Sequence, residues 1–217
     1  ELLLFANNDL EALTEGFDDI LRGLLARAEV GVVGALLLYP NGAIQHAGTA
    51  LGIGGVADHI GAGRMPADIG ISRIANYQRS VGAVTGAFMA MRRTTFEQVG
   101  GFDEVDLKVR FNDVDLCMKI GAAGLRVLYT PRILCLHHES ASRGLDALDP
   151  EKSARANAEI SALRARWGTD LAFDPFYNIA YDRNVEPYTA ARVPALATVL
   201  ANLARQSSRT RIPHDPS

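Results

Sequence analysis

The sequence lacks the features that mark several large classes of protein. It has only two cysteines, Cys117 and Cys135, which is too few for a disulfide framework, and both lie in apolar segments typical of reduced core residues. No apolar run approaches the ~18 residues of a membrane span, and no basic and apolar leader opens the chain. The formal net charge of -3 gives no case for nucleic acid as a partner. We therefore expect a cytoplasmic protein, with membrane association of a longer protein left open.

What is present indicates an α/β fold. Residues 2–6 and 32–39 are apolar at nearly every position, which is typical of central strands buried on both faces. Residues 82–91 are strand-like around an internal glycine, and a one-sided apolar stripe predicts a helix over 13–25. Hydrophobic residues make up 48% of the chain, enough for one sizeable core. The sequence thus predicts a mixed sheet flanked by helices in three layers.

The remaining segments complete this outline. A Pro-Asn-Gly turn at 40–42 predicts a returning strand over 43–53, and the glycine-rich stretch 54–78 predicts a loop with one short helix. Two short strands are expected at 126–129 and 133–136, separated by Pro131. Further predictions are a helix that starts at Pro150, a peripheral helix over 189–204 and a disordered end over the last dozen residues.

The stretch 111–117, Phe-Asn-Asp-Val-Asp-Leu-Cys, carries the strongest polar signal. Asp113 and Asp115 stand two residues apart, Asn112 has the character of a helix cap, and the amphipathic run that follows closes at Gly124. One interpretation is that the two acids only complement the dipole of the helix. The other is that they belong to a functional cleft.

Polar residues at two strand ends favour the cleft. Asp9 follows the first apolar strand, and the pair His137 and His138 ends a later one, so acids and histidines are expected together at one edge of a sheet. Structural alternatives remain for each. Asp9 can cap a following helix, the histidine pair can be structural, and His46 and His59 are expected to be packing or loop residues rather than ligands.

Seven motifs follow one another along the chain in a fixed order and spacing: Leu-Phe-Ala-Asn-Asn-Asp, Val-Gly-Ala-Leu-Leu-Leu-Tyr-Pro-Asn-Gly, Ile-Gln-His-Ala-Gly, Val-Thr-Gly-Ala, Val-Gly-Gly-Phe-Asp-Glu, Phe-Asn-Asp-Val-Asp-Leu-Cys and Leu-His-His-Glu-Ser-x-Ser-Arg-Gly. Taken together, these motifs resemble family 2 glycosyltransferases, which are inverting enzymes with the GT-A fold. The resemblance runs from about residue 2 to about residue 178 and is closest to rhamnosyltransferase-like enzymes of bacterial surface polysaccharide synthesis.

The resemblance implies roles for the residues at the strand ends. Asn7 and Asp9 occupy the place of the Asp-x-Asp motif, where the last acid binds the donor diphosphate and a divalent metal, Mg²⁺ or Mn²⁺. Asparagine in place of the first acid implies a weaker metal site. His137 or His138 matches a histidine that completes the metal shell in some relatives.

It also implies roles around the central motif. Asp113 falls at the position of the catalytic base, a role that suits a carboxylate within reach of an acceptor hydroxyl. Thr85 and Gly86 fall where donor sugar and acceptor meet, and Asn112 and Asp115 are assigned with them to substrate binding. Arg143 lies in a loop that could close on the diphosphate.

The nucleotide-binding half of the family precedes the Asp-x-Asp strand. Residues 1–180 are therefore interpreted as the acceptor-binding and catalytic half, followed by a tail over 181–217. We expect this chain alone to have little activity and to self-associate through residues 2–6, because unpaired edges and apolar patches drive association.

Two functions are carried forward. The first is an enzyme that transfers a sugar, with inversion, from a nucleotide-diphosphate donor to a saccharide or lipid-linked acceptor. The alternative is a non-catalytic saccharide-binding or assembly module that keeps the transferase fold.

Overall fold

The computed structural model describes residues 1–68, 71–138 and 149–209. The helices and strands within these ranges are β1 (Leu2–Ala6), β2 (Leu10–Ala12), α1 (Phe17–Leu25), β3 (Val30–Leu38), β4 (Ile44–His46), β5 (Thr49–Leu51), β6 (Ala57–His59), a 3₁₀ helix (Ile71–Asn76), β7 (Arg79–Ser80), β8 (Phe88–Arg92), α2 (Arg93–Gln98), α3 (Asn112–Ala122), β9 (Arg126–His137), α4 (Pro150–Ala172) and α5 (Leu196–Arg209).

A seven-stranded mixed sheet forms the centre of the protein. Its main path runs β1-β8-β3-β9-β2, with β4 added to β3 and β7 added to β9. β3 and β9 are parallel, and the other pairs in this sheet are antiparallel. Strand β3 is central because its apolar residues are buried on both faces: Val32 and Leu36 on one, Val33 and Leu37 on the other. The predicted mixed sheet is confirmed.

Helices cover both faces of this sheet, as predicted. Helix α1 packs Leu21 and Leu24 against one face. Helix α3 packs Leu116 and Ile120 against the other, and Leu163 of α4 joins the same cluster. Each of these five side chains is at most 6% exposed, so both faces of the sheet lie against closely packed apolar surface.

The prediction that residues 2–6 form a central, doubly buried strand was wrong for the described residues. Strand β1 pairs with β8 at one end of the sheet path. Phe5 packs on Phe96 and Phe102, but Leu2 and Leu4 are 37% and 45% exposed. An unbroken apolar run reports that both faces can be buried, but it does not report which strands lie beside it.

Two further elements, α1 and β9, have bounds that differ from those predicted. The helix expected over 13–25 begins only at Phe17, because Leu13 and Thr14 bond to Leu134 of β9 through the Leu13 amide and the Thr14 hydroxyl. The two strands expected around Pro131 form the single strand β9. The register against β3 shifts after Thr130, so Pro131 is accommodated in an irregularity of the pairing.

The return after the turn at 40–42 is two short strands rather than one. Strand β4 pairs with β3, whereas β5 pairs with β6 in a separate two-stranded sheet. Gly48 separates them with φ 91°, and a Cβ there would lie 2.7 Å from Val81. The stretch predicted as the strand 82–91 is regular only in β8, and residues before it turn toward the cleft described below.

The C-terminal helices differ in how closely they match expectation. Helix α4 starts at Pro150 as predicted, and Asp149 caps it by accepting hydrogen bonds from the amides of Glu151 and Lys152. Helix α5 begins seven residues later than the predicted start at 189. Over 1–68, 71–138 and 149–209, no helix is long and apolar enough to cross a membrane.

Candidate active site

An open cleft of about 810 Å³ lies where β1, β4, the segment before β8 and the start of α3 meet. Six of the residues singled out in the sequence line it: Asn7, Thr85, Gly86, Asn112, Asp113 and His137. They come from four separate stretches of the chain, so the fold is what brings them together.

Asp113 lies in the first turn of α3 and faces the cleft. Its Oδ2 accepts a hydrogen bond from the Gly86 amide at 2.9 Å, and its Oδ1 accepts one from the Val114 amide at 2.9 Å. The residue before the helix is Phe111, which has φ 62°, so Asn112 is the first helical residue and not the predicted cap. This left-handed turn at Phe111, uncommon for a non-glycine residue, aims the first turn of the helix at the cleft.

Packing below the cleft fixes Asp113 against residues 84–86. The Val84 amide donates to Cys117 Sγ at 3.4 Å, one turn into α3. Val84 in turn lies on β3 at Gly34, where an added Cβ would come within 2.5 Å of it. The absence of a side chain at Gly34 therefore lets this segment lie against the sheet and present Thr85 and Gly86 to the cleft.

A second polar group joins the ends of β1 and β9. His137 is 4% exposed, and its Nε2 lies 3.0 Å from Asn7 Nδ2 and 3.1 Å from Asp9 Oδ1. Its Nδ1 lies 2.6 Å from Gln45 Oε1. A proton on Nδ1 donates to Gln45 and leaves the Nε2 lone pair to accept from Asn7, so both amides fit the tautomer that carries its proton on Nδ1.

That tautomer gives Asp9 and His137 the beginnings of a cation site. A carboxylate oxygen and an imidazole lone pair then face the same space, and a divalent cation between them would relieve their repulsion. Among the described residues, no three His, Cys, Asp or Glu side chains are placed to hold a metal ion. In the part of the chain that the structure describes, Asp9 and His137 are thus the pair that could hold a cation here, with its remaining positions open to a ligand phosphate or water.

His138 does not take part in this group. It is half exposed, and its Nε2 lies 3.6 Å from Glu11 Oε2. The cause is strand geometry, because neighbouring residues at a strand end point to opposite faces. Of the two histidines proposed as metal ligands, the structure places His137 in the cleft and His138 outside it.

Asp115, which the sequence assigns to substrate binding, lies away from the cleft lining. Asp115 is fully buried, and its Oδ1 accepts hydrogen bonds from Arg166 at 3.0 Å and from the Trp167 indole at 2.8 Å. Lys119 Nζ lies 2.9 Å from Oδ2, although that atom has no partner with hydrogen-bond geometry, so we treat this contact as a charge interaction. Asp115 joins α3 to α4 and is absent from the cleft lining.

Glu159 was missed in the sequence, although it holds one wall of the cleft. This α4 carboxylate is 3% exposed and accepts from the amides of Val109 and Arg110 at 3.1 and 3.0 Å. Both of those residues line the cleft. Glu159 stands four residues before Leu163 on the apolar face of the helix, and an acid on such a face is a signal that could have identified it.

Other cleft residues were also missed. Gln45, Asp58 and Arg110 line the cleft and had no proposed role, and His46 and His59, expected to be packing or loop residues, line it as well. Arg143, proposed to close on a diphosphate, lies outside the described residues.

The chain is similar in sequence to parts of three longer bacterial proteins. The chain is 41% identical over 187 residues to the uncharacterized protein y4gI of Sinorhizobium fredii, covering 85% of this chain and 20% of that protein. It is 40% identical over 182 residues to the O-antigen biosynthesis protein RfbC of Myxococcus xanthus, covering 82% and 14%. It is also 40% identical over 74 residues to an N-acetylglucosaminyl-diphospho-decaprenol L-rhamnosyltransferase of Mycobacterium tuberculosis, covering 34% and 24%.

The chain thus spans a quarter or less of the length of each of these relatives. No family model matches it. Among solved structures, GalNAc-T7 with UDP, GalNAc and Mn²⁺ covers 76% of this chain and 37% of its own, with a TM-score of 0.46 and 13% identity. A likeness at that level says nothing about activity.

Proposed function

We propose that residues 1–180 form the acceptor-binding and catalytic half of an inverting family 2 glycosyltransferase with the GT-A fold. The enzyme transfers a sugar from a nucleoside diphosphate to a saccharide or lipid-linked acceptor in bacterial surface polysaccharide synthesis, at the cytoplasmic side. The observation that carries the proposal is one cleft lined by Asp113 and by His137, whose Nε2 is 3.1 Å from Asp9. The names of the relatives from Myxococcus xanthus and Mycobacterium tuberculosis support it.

Asp113 serves as the general base in this mechanism. The acceptor oxygen forms a bond to the anomeric carbon of the donor sugar while the bond from that carbon to the diphosphate oxygen breaks. The hydroxyl proton passes to the Asp113 carboxylate, and attack from the face opposite the leaving group inverts the anomeric carbon. The amide of Gly86, 2.9 Å from Oδ2, holds the carboxylate in place for this transfer.

Asn7, Asp9 and His137 hold the diphosphate end of the donor. Asp9 Oδ1 and His137 Nε2, 3.1 Å apart, would hold a divalent cation, and that cation would supply positive charge against the leaving diphosphate. Gln45 keeps the proton on Nδ1 of His137, 2.6 Å away, and so keeps Nε2 available. Asn7 adds an uncharged amide where the family has an acid.

The alternative is a saccharide-binding module without catalysis. It is favoured by Asn7 at the first acidic position and by the two-ligand cation site. In this case the cleft binds a saccharide, and Asp113 accepts hydrogen bonds without taking up a proton.

The replacement Asp113→Asn in the polypeptide that carries the nucleotide-binding half distinguishes the two. We expect turnover to fall about 10²–10⁴-fold, because only proton transfer is removed, while the donor KM stays within about 3-fold. The assay follows nucleoside diphosphate release from dTDP-rhamnose and UDP-N-acetylglucosamine in the presence of Mg²⁺ or Mn²⁺.

Asp18→Asn is the matched control, because Asp18 lies exposed on α1 and its side chain is 60% accessible. Unchanged turnover in Asp113→Asn would place the base elsewhere. A wild-type protein that binds saccharide but releases no nucleoside diphosphate from any donor would favour the binding module.

A further inference from the structure

Two histidines form a second polar group on the cleft wall. His46 ends β4 and His59 ends β6, and both line the cleft. Their Nδ1 atoms are 2.7 Å apart, with the rings nearly perpendicular at 80°. We refer to His46, Thr49, Asp58 and His59, which line the cleft together, as the histidine wall.

His46 has an unused hydrogen-bonding atom. The residue is fully buried, and its Nε2 is one of two buried side-chain atoms without a partner among the described residues. A buried polar atom without a partner costs about 1–3 kcal/mol. His46 lines the cleft but its Nε2 is buried, so a ligand group can supply the missing partner once a neighbouring side chain moves aside.

The state of the ring points to a neutral ligand. The Nδ1 atoms at 2.7 Å share one proton, so His46 Nε2 is a donor in one tautomer pair and an acceptor in the other. A hydroxyl group suits both, because it donates and accepts. Burial, with the nearby charges of His59 and Arg79, holds the pKa of His46 well below 6.5, so the ring carries no charge for a phosphate.

The charges around the wall agree with this. Asp58 is an acid, and Thr49 contributes a hydroxyl. Arg79 is the cation whose charge acts on His46, and its guanidinium donates hydrogen bonds to the carbonyls of Ala47 and Ile74. A diphosphate at this wall would be repelled by Asp58 and would gain no charge interaction from the neutral His46 ring. Neutral hydroxyl groups could form hydrogen bonds with Asp58, Thr49 and His46.

We propose that the histidine wall binds the hydroxyl groups of a pyranose ring, with His46 Nε2 contacting one of them. The inference rests on the proposed function and adds the wall as the part of the cleft that recognises a sugar. Gln45 and His46 are consecutive in β4, so one short strand serves both the diphosphate end through His137 and the sugar through the wall.

Ring ¹⁵N NMR of the 217-residue chain tests the proposal, because the sequence has only five histidines to assign. The probes are the methyl glycosides of glucose, galactose, mannose, rhamnose and N-acetylglucosamine, added singly as acceptor sugars. UDP-glucose, and UDP alone with Mg²⁺, are added separately to the polypeptide that carries the nucleotide-binding half. We expect at least one sugar-bearing probe to shift the Nε2 resonance of His46.

The source of the sugar follows from which probe acts. A shift with a methyl glycoside identifies an acceptor sugar, and a shift with UDP-glucose but not with UDP identifies the donor sugar. Thr49→Val should weaken the binding of the active probe about 2- to 10-fold, the worth of one neutral hydrogen bond. His46→Gln should do the same, whereas His138→Gln, outside the cleft, should leave it unchanged.

Two results would overturn the proposal. One is that sugars shift His137 but leave His46 and His59 unmoved, and the other is that no sugar-bearing probe shifts any histidine. Failure of the proposed function has a different signature, since UDP with Mg²⁺ would then leave His137 unmoved in the polypeptide that carries the nucleotide-binding half, whatever the sugars do.

Discussion

Replacing the two acids of the central motif by alanine, one at a time, should separate folding from function. Asp115 is fully buried and interacts with Arg166, Trp167 and Lys119. Removing one partner of a buried ion pair costs about 3–5 kcal/mol, because the remaining charge loses its compensation. Arg166 is one-third exposed and keeps its contact to Asp103, so we expect the lower end, about 3 kcal/mol, for Asp115→Ala.

Asp113→Ala is the matched variant two positions away. It removes an acceptor for the amides of Gly86 and Val114 at the edge of an open cleft, which water can replace. We expect a cost of about 1 kcal/mol.

Thermal unfolding followed by circular dichroism measures both effects. In a chain of this size 1 kcal/mol shifts Tm by about 2–4 °C, so we expect losses of about 6–12 °C for Asp115→Ala and about 2–4 °C for Asp113→Ala. Asp115→Asn, which retains an oxygen for the Trp167 indole, should fall between them. An equal fall in Tm for the two alanine variants, or an unchanged Tm for Asp115→Ala, would refute the assignment of Asp115 to folding and Asp113 to function.

Three further predictions concern pH, thiols and association. Hydrogen bonds from the Asp106 amide and, second, from the Arg166 guanidinium lower the pKa of Asp103 from 3.8 to about 2. The stability that the ionised Asp103 adds to the folded state is therefore full above pH 4 and is lost as the pH falls toward 2. Asp103→Asn should reduce the loss of stability between pH 4 and pH 2 in an acid unfolding curve. An unchanged loss over that pH range would contradict this role of Asp103. Burial raises the pKa of Cys135 to about 11 and also raises that of Cys117, so neither should react with a thiol reagent until the chain unfolds. Rapid labelling of the folded chain would contradict that. The exposed edge of β1 should make the chain self-associate in light scattering, and Leu2→Lys should reduce the effect; a monomeric wild-type chain would disprove the role of this edge.

The elements set by local pattern were predictable from the sequence. An apolar run predicts strand β3, and a proline at a helix start predicts helix α4. Neither signal depends on the rest of the chain. The place of β1 was not predictable, because its neighbours in the sheet come from distant segments. The same holds for Pro131, since the irregularity that accommodates it depends on β3.

The candidate site shows a similar division. Residues at strand ends and at a helix start are expected to gather at one edge, and the structure brings Asp9 to His137 and Asp113 to Gly86. The burial of Asp115 could have been foreseen, because residues two apart on a helix point about 200° away from each other. The contacts of Glu159 and of the His46–His59 pair could not, because they join segments 49 and 13 residues apart or more.

The hydrogen bonds between α4 and the cleft wall have a consequence for redesign. The Glu159 carboxylate accepts hydrogen bonds from the amides of Val109 and Arg110, which line the cleft. The width of the cleft therefore depends partly on α4, a helix that contributes no lining residue. A library that varies the positions around Glu159 could reshape the opening while leaving Asp113 and Gly86 as they are. Substrate preference could then be changed from a helix behind the cleft wall, without replacing a residue that lines the cleft.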